Sequence, residues 1–302
     1  MAKGPRKLPT DAHIRVIAPA SPAKDWAPLQ HVLAQFHAFG FTVSMGKHIR
    51  KKQNYLAGSD RERLQDLHDA FRDPSVDAIL ALRGGYGTTR LLKQVDYGLI
   101  KKNPKPIIGF SDITALQLAI YAKTGVGSYS GPNFFGMIPT KTKSLYSFHH
   151  FLRAVLPATE SVDLLSQSKQ KMRNVKVVRS GRATGTLIGG NLSLLCSLLG
   201  TPYMPRLNGS ILLLEEINEA PYRFDRLLTQ LINAEVLGGV RAILFGECRD
   251  CDMWQTIATE RLKPLGIPMA LNLPFGHIDE LGTFPIGASV TVHLGKQISL
   301  ML

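Results

Sequence analysis

Three stretches of this 302-residue chain combine chemically competent residue types with turn-like settings. Gly109-Phe110-Ser111-Asp112 follows the apolar pair Ile107-Ile108 and precedes a helical pattern. That is the strand–turn–helix setting of an exposed nucleophilic serine, although the glycine that usually follows such a serine is absent. Ser111 would stand at a helix N-terminus, where N–H groups and the dipole favour developing negative charge. A serine or aspartate that caps the helix accounts for the same pattern. A nucleophilic serine needs a base, and the base needs an orienting acid. Of the nine histidines, His31, His37, His68, His149 and His150 fall on helix-like faces or in connector sequence. His277, in Leu273-Pro274-Phe275-Gly276-His277, lies instead just past an apolar segment in a loop flanked by glycine and proline. Glu215 ends the apolar run Ile211–Leu214, where packing gives no reason for an acid. The order Ser111, Glu215, His277 is the nucleophile–acid–base order of α/β-hydrolases. Taken singly, each residue also fits a bland role, a solvated loop histidine above all.

Two further signals are weaker. Arg83-Gly84-Gly85-Tyr86-Gly87 lacks both the Lys-Ser/Thr of a phosphate loop and the GxGxxG spacing of a dinucleotide site. Its glycines would let backbone N–H groups approach a ligand, and a structural turn explains them equally. Cys248-Arg249-Asp250-Cys251 has CxxC spacing without a second Cys or His pair at zinc-site distance, so it reads as two free thiols in a loop.

The elements that must position these residues are legible as alternating patterns. Ile14–Ala18, Phe41–Val43, Ala78–Leu82 and Ile107–Phe110 read as strands, and the unbroken apolar run Ala78–Leu82 as one covered on both faces. Helices are predicted over Leu29–Phe39, closed by Gly40, after the capping box Ser59-Asp60-Arg61-Glu62, and over Asp112–Lys123, closed by Gly125. Ile113, Leu116 and Ile120 share one face of the last. Repeated βα units imply an open parallel sheet flanked by helices, so the fold class is α/β, with a smaller C-terminal α+β domain. The expected division is 1–136 as the N-terminal domain, 137–181 as a connector with one helix at Ser144–Val155, and 182–302 as the C-terminal domain. There, Thr186–Ile188, Ile211–Leu214 and Ala242–Phe245 are strands, Arg223–Ala234 is an amphipathic helix, and Ser289–Leu302 is a hairpin turning at Gly295-Lys296.

Composition bounds the partners. Thirty-six Lys and Arg against 23 Asp and Glu give a net charge of +13, which favours an acidic partner or a substrate with several carboxylates. The charges are scattered, with Arg50-Lys51-Lys52 the densest run and a looser set along Lys169–Arg182. Neither is interleaved with aromatics as a nucleic-acid platform would be, so nucleic acid is not expected. Three cysteines fit a reducing compartment. No apolar run has the length of a signal sequence or a membrane span, so the expected location is cytoplasmic with no membrane partner.

The chain resembles the LD-carboxypeptidase family of serine peptidases in six segments that occur in family order over nearly its whole length. They are Ile17-Ala18-Pro19-Ala20-Ser21, Arg83–Gly87, Gly109–Thr114, Gly189-Gly190-Asn191-Leu192, Leu214–Arg223, and Gly276-His277 followed by Pro285-Ile286-Gly287. The resemblance implies Ser111 as nucleophile, His277 as general base and acid, and Glu215 as the group orienting His277. It also implies an oxyanion hole from the backbone N–H groups of Asp112 and the Gly85 region, with no metal and no organic cofactor. Two departures stand out: Glu215-Glu216 where the family often has Glu-Asp, and a short loop near Cys248–Asp252. The implied substrate is a murein tetrapeptide, cut between diaminopimelate and its terminal D-Ala, with Arg83 as a candidate substrate contact. Two alternatives remain at this level: a microcin-immunity-type peptidase acting on aminoacyl nucleotides, for which no aromatic-rich loop is evident, and a non-catalytic α/β module binding an acidic ligand. Self-association into a homodimer is compatible with the sequence and not specified by it.

Overall fold

A computed structural model describes residues 4–137, 145–166, 172 and 174–302. Five strands form a parallel sheet in the order β5-β4-β3-β1-β2: β1 (His13–Ile17), β2 (Thr42–Met45), β3 (Ala78–Ala81), β4 (Ile107–Gly109) and β5 (Ser128–Ser130). Every residue of β3 is buried, as its continuous apolar run requires. Between the strands run α1 (Leu29–Ala38), α2 (Asp60–Arg72), α3 (Tyr97–Lys102) and α4 (Ile113–Thr124). The capping box forms: the Ser59 hydroxyl accepts from the Glu62 N–H while the Glu62 carboxylate accepts from the Ser59 N–H. Gly125, at φ +75°, ends α4 in the left-handed region that a side chain resists.

α5 (Tyr146–Val155) is the connector helix; its expected start at Ser144 lies outside the described residues. A second sheet has the order β13-β12-β7-β8-β9-β10-β6. Its central strands β7 (Gly181–Asn191), β8 (Ser210–Ile217), β9 (Ala242–Arg249) and β10 (Met269–Leu271) are parallel. β6 (Lys176–Arg179), β12 (Ser289–Leu294) and β13 (Ile298–Met301) pair antiparallel at its edges, the last two as the expected hairpin. Helices α6 (Leu192–Ser197), α7 (Pro221–Asn233) and α8 (Trp254–Leu262) complete this half. Ile211 to Leu214 are fully buried in β8, each worth about 1.5–3 kcal/mol of transfer free energy.

Two observations revise the sequence reading. β11 (Phe284–Ile286) leaves the second half and pairs antiparallel with β5, so residues 182–302 contribute to both sheets. Cys248 lies within β9, which runs on past a register shift, and Cys251 is buried just after it. The CxxC pair is thus two buried free thiols, Cys248 in a strand and Cys251 in the loop that follows, and burial pushes both thiol pKa values up.

α4 joins the two halves. Its residues Ile113 to Ile120 are all buried, not only the expected face, because the second half covers the side turned away from the first sheet. Gly190 permits that closeness: a Cβ there would stand 2.5 Å from Thr114 Oγ1, and the Thr114 hydroxyl accepts from the Asn191 N–H at 3.1 Å. Among the described residues, no helix is long and apolar enough to cross a membrane.

Candidate active site

In parallel sheets, ligand sites collect beyond the carboxyl ends of the strands. Here those ends meet across the two halves. β4 ends at Gly109, and the chain turns sharply through Ser111 at φ +65°. A non-glycine residue in that region is strained, and such strain is characteristic of a serine held out on an elbow. Neither Ser111 nor Asp112 caps α4 with its side chain. The Asp112 carboxylate instead accepts from the Thr88 N–H at 2.9 Å, and the Thr88 hydroxyl donates to the Asp112 carbonyl, tying the 83–88 turn to the start of α4. Burial holds the Asp112 carboxyl above its ordinary pKa.

The Ser111 hydroxyl meets His277 Nε2 at 3.1 Å, and His277 Nδ1 meets Glu215 Oε2 at 2.7 Å. A carboxylate can only accept, so Nδ1 carries the proton and Nε2 is left as the acceptor for the serine hydroxyl. The three residues come from the turn between β4 and α4, from β8 and from the loop after β10, so they become neighbours only when the halves pack. Gly276, at φ +110°, makes the last approach possible, since a Cβ there would press on the Glu215 side chain at 3.0 Å. The Phe110 ring packs on the imidazole with centroids 4.9 Å apart. Glu215 is fully buried, and its Oε1 has no hydrogen-bond partner among the described residues.

The structure separates the two adjacent acids. Glu216 accepts from the Asn191 side-chain amide at 2.8 Å, and from the Ser193 N–H and hydroxyl at 2.7 and 2.6 Å. It braces the start of α6 and does not reach His277; burial raises its carboxyl pKa.

On the other side of Ser111 stands the glycine turn. Gly84 is the residue in contact, since a Cβ there would come within 2.9 Å of Ser111 Cβ, whereas Gly85 abuts Ser21. The Ser21 hydroxyl accepts from the Tyr86 N–H at 3.2 Å. The fully buried Arg63 donates to the carbonyls of Pro19 and Gly87 and pairs with Asp60, fixing the turn from behind. Arg63 went unnoticed in the sequence because an arginine inside a capped, charged helix reads as solvated; only the turn packed over it reveals its use. Arg83 donates to the Pro22 carbonyl at 3.2 Å and makes no hydrogen bond or ion pair with Ser111, Glu215 or His277. Among the described residues, no group of three His, Cys, Asp or Glu side chains is arranged to hold a metal ion.

Comparison with known proteins gives this geometry a context. Residues 14–131 match the LD-carboxypeptidase N-terminal domain, and residues 184–292 match the LD-carboxypeptidase C-terminal domain. A probable murein peptide carboxypeptidase of Bacillus subtilis is 34% identical, covering 98% of this chain and 93% of that protein. The murein tetrapeptide carboxypeptidase of Pseudomonas aeruginosa is 33% identical, with 94% of each chain covered. The crystal structure of an MccF-like protein from Bacillus anthracis superposes with a TM-score of 0.88 at 34% identity, covering 99% of this chain and 98% of that one. Two domain matches in order, together with relatives alike over nearly their full lengths, leave one conclusion: this chain belongs to the LD-carboxypeptidase family of peptidases.

Proposed function

We propose that this chain is a cytoplasmic serine carboxypeptidase that hydrolyses the bond between the L-centre of diaminopimelate and the terminal D-Ala of murein tetrapeptide, in cell-wall recycling. The observation that carries the reading is the hydrogen-bonded series Ser111–His277–Glu215, assembled across two sheets. In this reading Ser111 attacks the carbonyl carbon as His277 Nε2 takes the hydroxyl proton. Glu215 holds the imidazole orientation and stabilises the imidazolium. The N–H of Asp112, at the start of α4, and that of Gly85 receive the developing oxyanion. His277 then gives its proton to the departing D-Ala nitrogen, leaving an acyl-serine that water, activated by the same imidazole, hydrolyses. The names of the Bacillus and Pseudomonas relatives support the choice of a murein peptide.

The test presents tetrapeptide, pentapeptide ending in D-Ala-D-Ala, and C-terminally amidated tetrapeptide at equal concentration, with released D-Ala, its amide and the D-Ala-D-Ala dipeptide each quantified. The tetrapeptide alone should be cut efficiently, because a clamp on the terminal carboxylate sets the register, and an unpaired clamp is costly. Comparable turnover of all three would point to an endopeptidase or amidase. A serine-reactive probe that fails to label Ser111 would favour a non-catalytic binding module.

One observation favours a second reading. Tyr55 and Tyr86, both exposed, bring their rings to 5.6 Å beside the turn that touches Ser111. The sequence shows no aromatic loop because the pair is assembled from two. Such a surface could stack a nucleobase, so an aminoacyl-adenylate belongs in the same assay as a further substrate.

A further inference from the structure

Beside His277 opens a pocket of about 540 Å³ walled by Glu247, Arg249, Asp250, Gln255, Asn272 and Asp279. β9 builds one side of it. Its residues are buried from Ala242 to Gly246, and then burial alternates, with Glu247 and Arg249 exposed on either side of the buried Cys248. Two residues apart on a strand point the same way, so opposite charges stand side by side at the carboxyl end of the strand. They do not neutralise each other. Arg249 donates to the His277 carbonyl at 3.3 Å, and its Nε stands 3.7 Å from the exposed Asp250 carboxylate, too far for a hydrogen bond. The guanidinium keeps further N–H donors free for a ligand. Glu247 and Asp279 have no ion-pair partner among the described residues, although the chain as a whole carries +13.

An anionic ligand here would meet three carboxylates, and a cationic one would meet Arg249. A group bearing both signs on one carbon satisfies the whole wall. We propose that this pocket binds an α-amino acid head group, with Arg249 donating to its carboxylate and Glu247 and Asp279 accepting from its ammonium. Resting on the function proposed above, two sources supply that chemistry: the distal centre of the diaminopimelate side chain, and the free D-Ala that the reaction releases. Arg249 then becomes a specificity-determining residue, the cation that Arg83, tied to Pro22, does not provide.

The test reads binding without turnover, by calorimetry on the full chain carrying Ser111→Ala. The ligands are tetrapeptide with diaminopimelate, tetrapeptide with L-lysine, which keeps the side-chain ammonium and lacks the distal carboxylate, and free D-Ala. The diaminopimelate peptide should bind on the order of 10–100-fold more tightly than the lysine peptide, the range of one charge-assisted pair. Adding Arg249→Ala should reduce that ratio to about one by weakening the diaminopimelate peptide alone, and Arg249→Lys should restore part of it. Glu247→Gln should weaken both peptides. If the peptide ratio ignores Arg249 while D-Ala binding depends on it, the head group is that of the product. If neither depends on Arg249, or if Arg249→Ala weakens both peptides equally, the proposal is overturned. Failure of the unmodified chain to cleave tetrapeptide, with the Arg249-dependent ratio intact, would sink the hydrolase reading and leave this one standing.

Discussion

Replacing Glu215 by glutamine tests whether the buried acid serves chemistry or folding. In the structure its Oε2 accepts from His277 Nδ1 at 2.7 Å, while Oε1 is buried with no partner among the described residues. When His277 takes the Ser111 proton, an imidazolium forms with its charge about 4 Å from that of the carboxylate. At the effective dielectric of a partly wet site such a pair is worth roughly 4 kcal/mol, or about three decades in rate. Glutamine keeps the shape and removes the charge, and it can also donate to Nδ1 and so stabilise the unproductive tautomer. Glu215→Gln should therefore lower kcat/KM on tetrapeptide by on the order of 10³–10⁴-fold. Stability should move the other way. A buried unpaired carboxylate oxygen costs about 1–3 kcal/mol, and a neutral amide is cheaper to desolvate, so unfolding free energy should rise by about 1 kcal/mol. Steady-state kinetics and urea unfolding on the same preparation give both numbers. A variant keeping more than a tenth of the activity, or losing activity only in proportion to lost stability, would refute the role assigned to Glu215.

Three further outcomes follow from the same geometry. Ser111→Gly relieves the left-handed strain at φ +65° and should be inactive yet more stable by about 1 kcal/mol in thermal or urea unfolding; a destabilised variant would contradict the strain argument. Gly190→Ala forces a Cβ against Thr114 at φ +139° and should cost at least about 2 kcal/mol with loss of activity, and near-normal stability would show that the two halves do not need this approach. The Asp60 carboxyl is held below its ordinary value by Arg90 first and by Arg63 as well. A depressed carboxyl contributes stability above its unfolded pKa and loses it as pH falls through the folded value. Asp60→Asn should thus be less stable than the unmodified chain near neutrality, with the gap closing below about pH 4; a gap constant with pH would assign the loss to packing.

How much of this was legible in the residues follows from the range over which each force acts. The capping box at Ser59, the stop at Gly125 and the buried strand at Ala78–Leu82 are local, decided by a few consecutive side chains, and all three appear in the structure. The fold class and the family followed for the same reason, since turn glycines and apolar runs carry their spacing along the chain. The residue order Ser111, Glu215, His277 was readable, but not that their side chains meet, because that depends on two sheets facing each other through α4. Nor could the chain order distinguish Glu215 from Glu216: neighbouring residues on one strand differ only in the face they present, and the faces acquire meaning when His277 covers one and Asn191 with Ser193 covers the other. The same holds for Arg63, a helix-surface residue by pattern that becomes a buried brace once the glycine turn lies over it. Sequence pattern alone located many of the elements and the list of candidates, while short pieces such as β5, β6 and β11 took shape only through pairing with distant strands. Tertiary packing chose among candidates, because proximity between residues 62 and 166 positions apart, as for His277 with Glu215 and with Ser111, exists only in three dimensions.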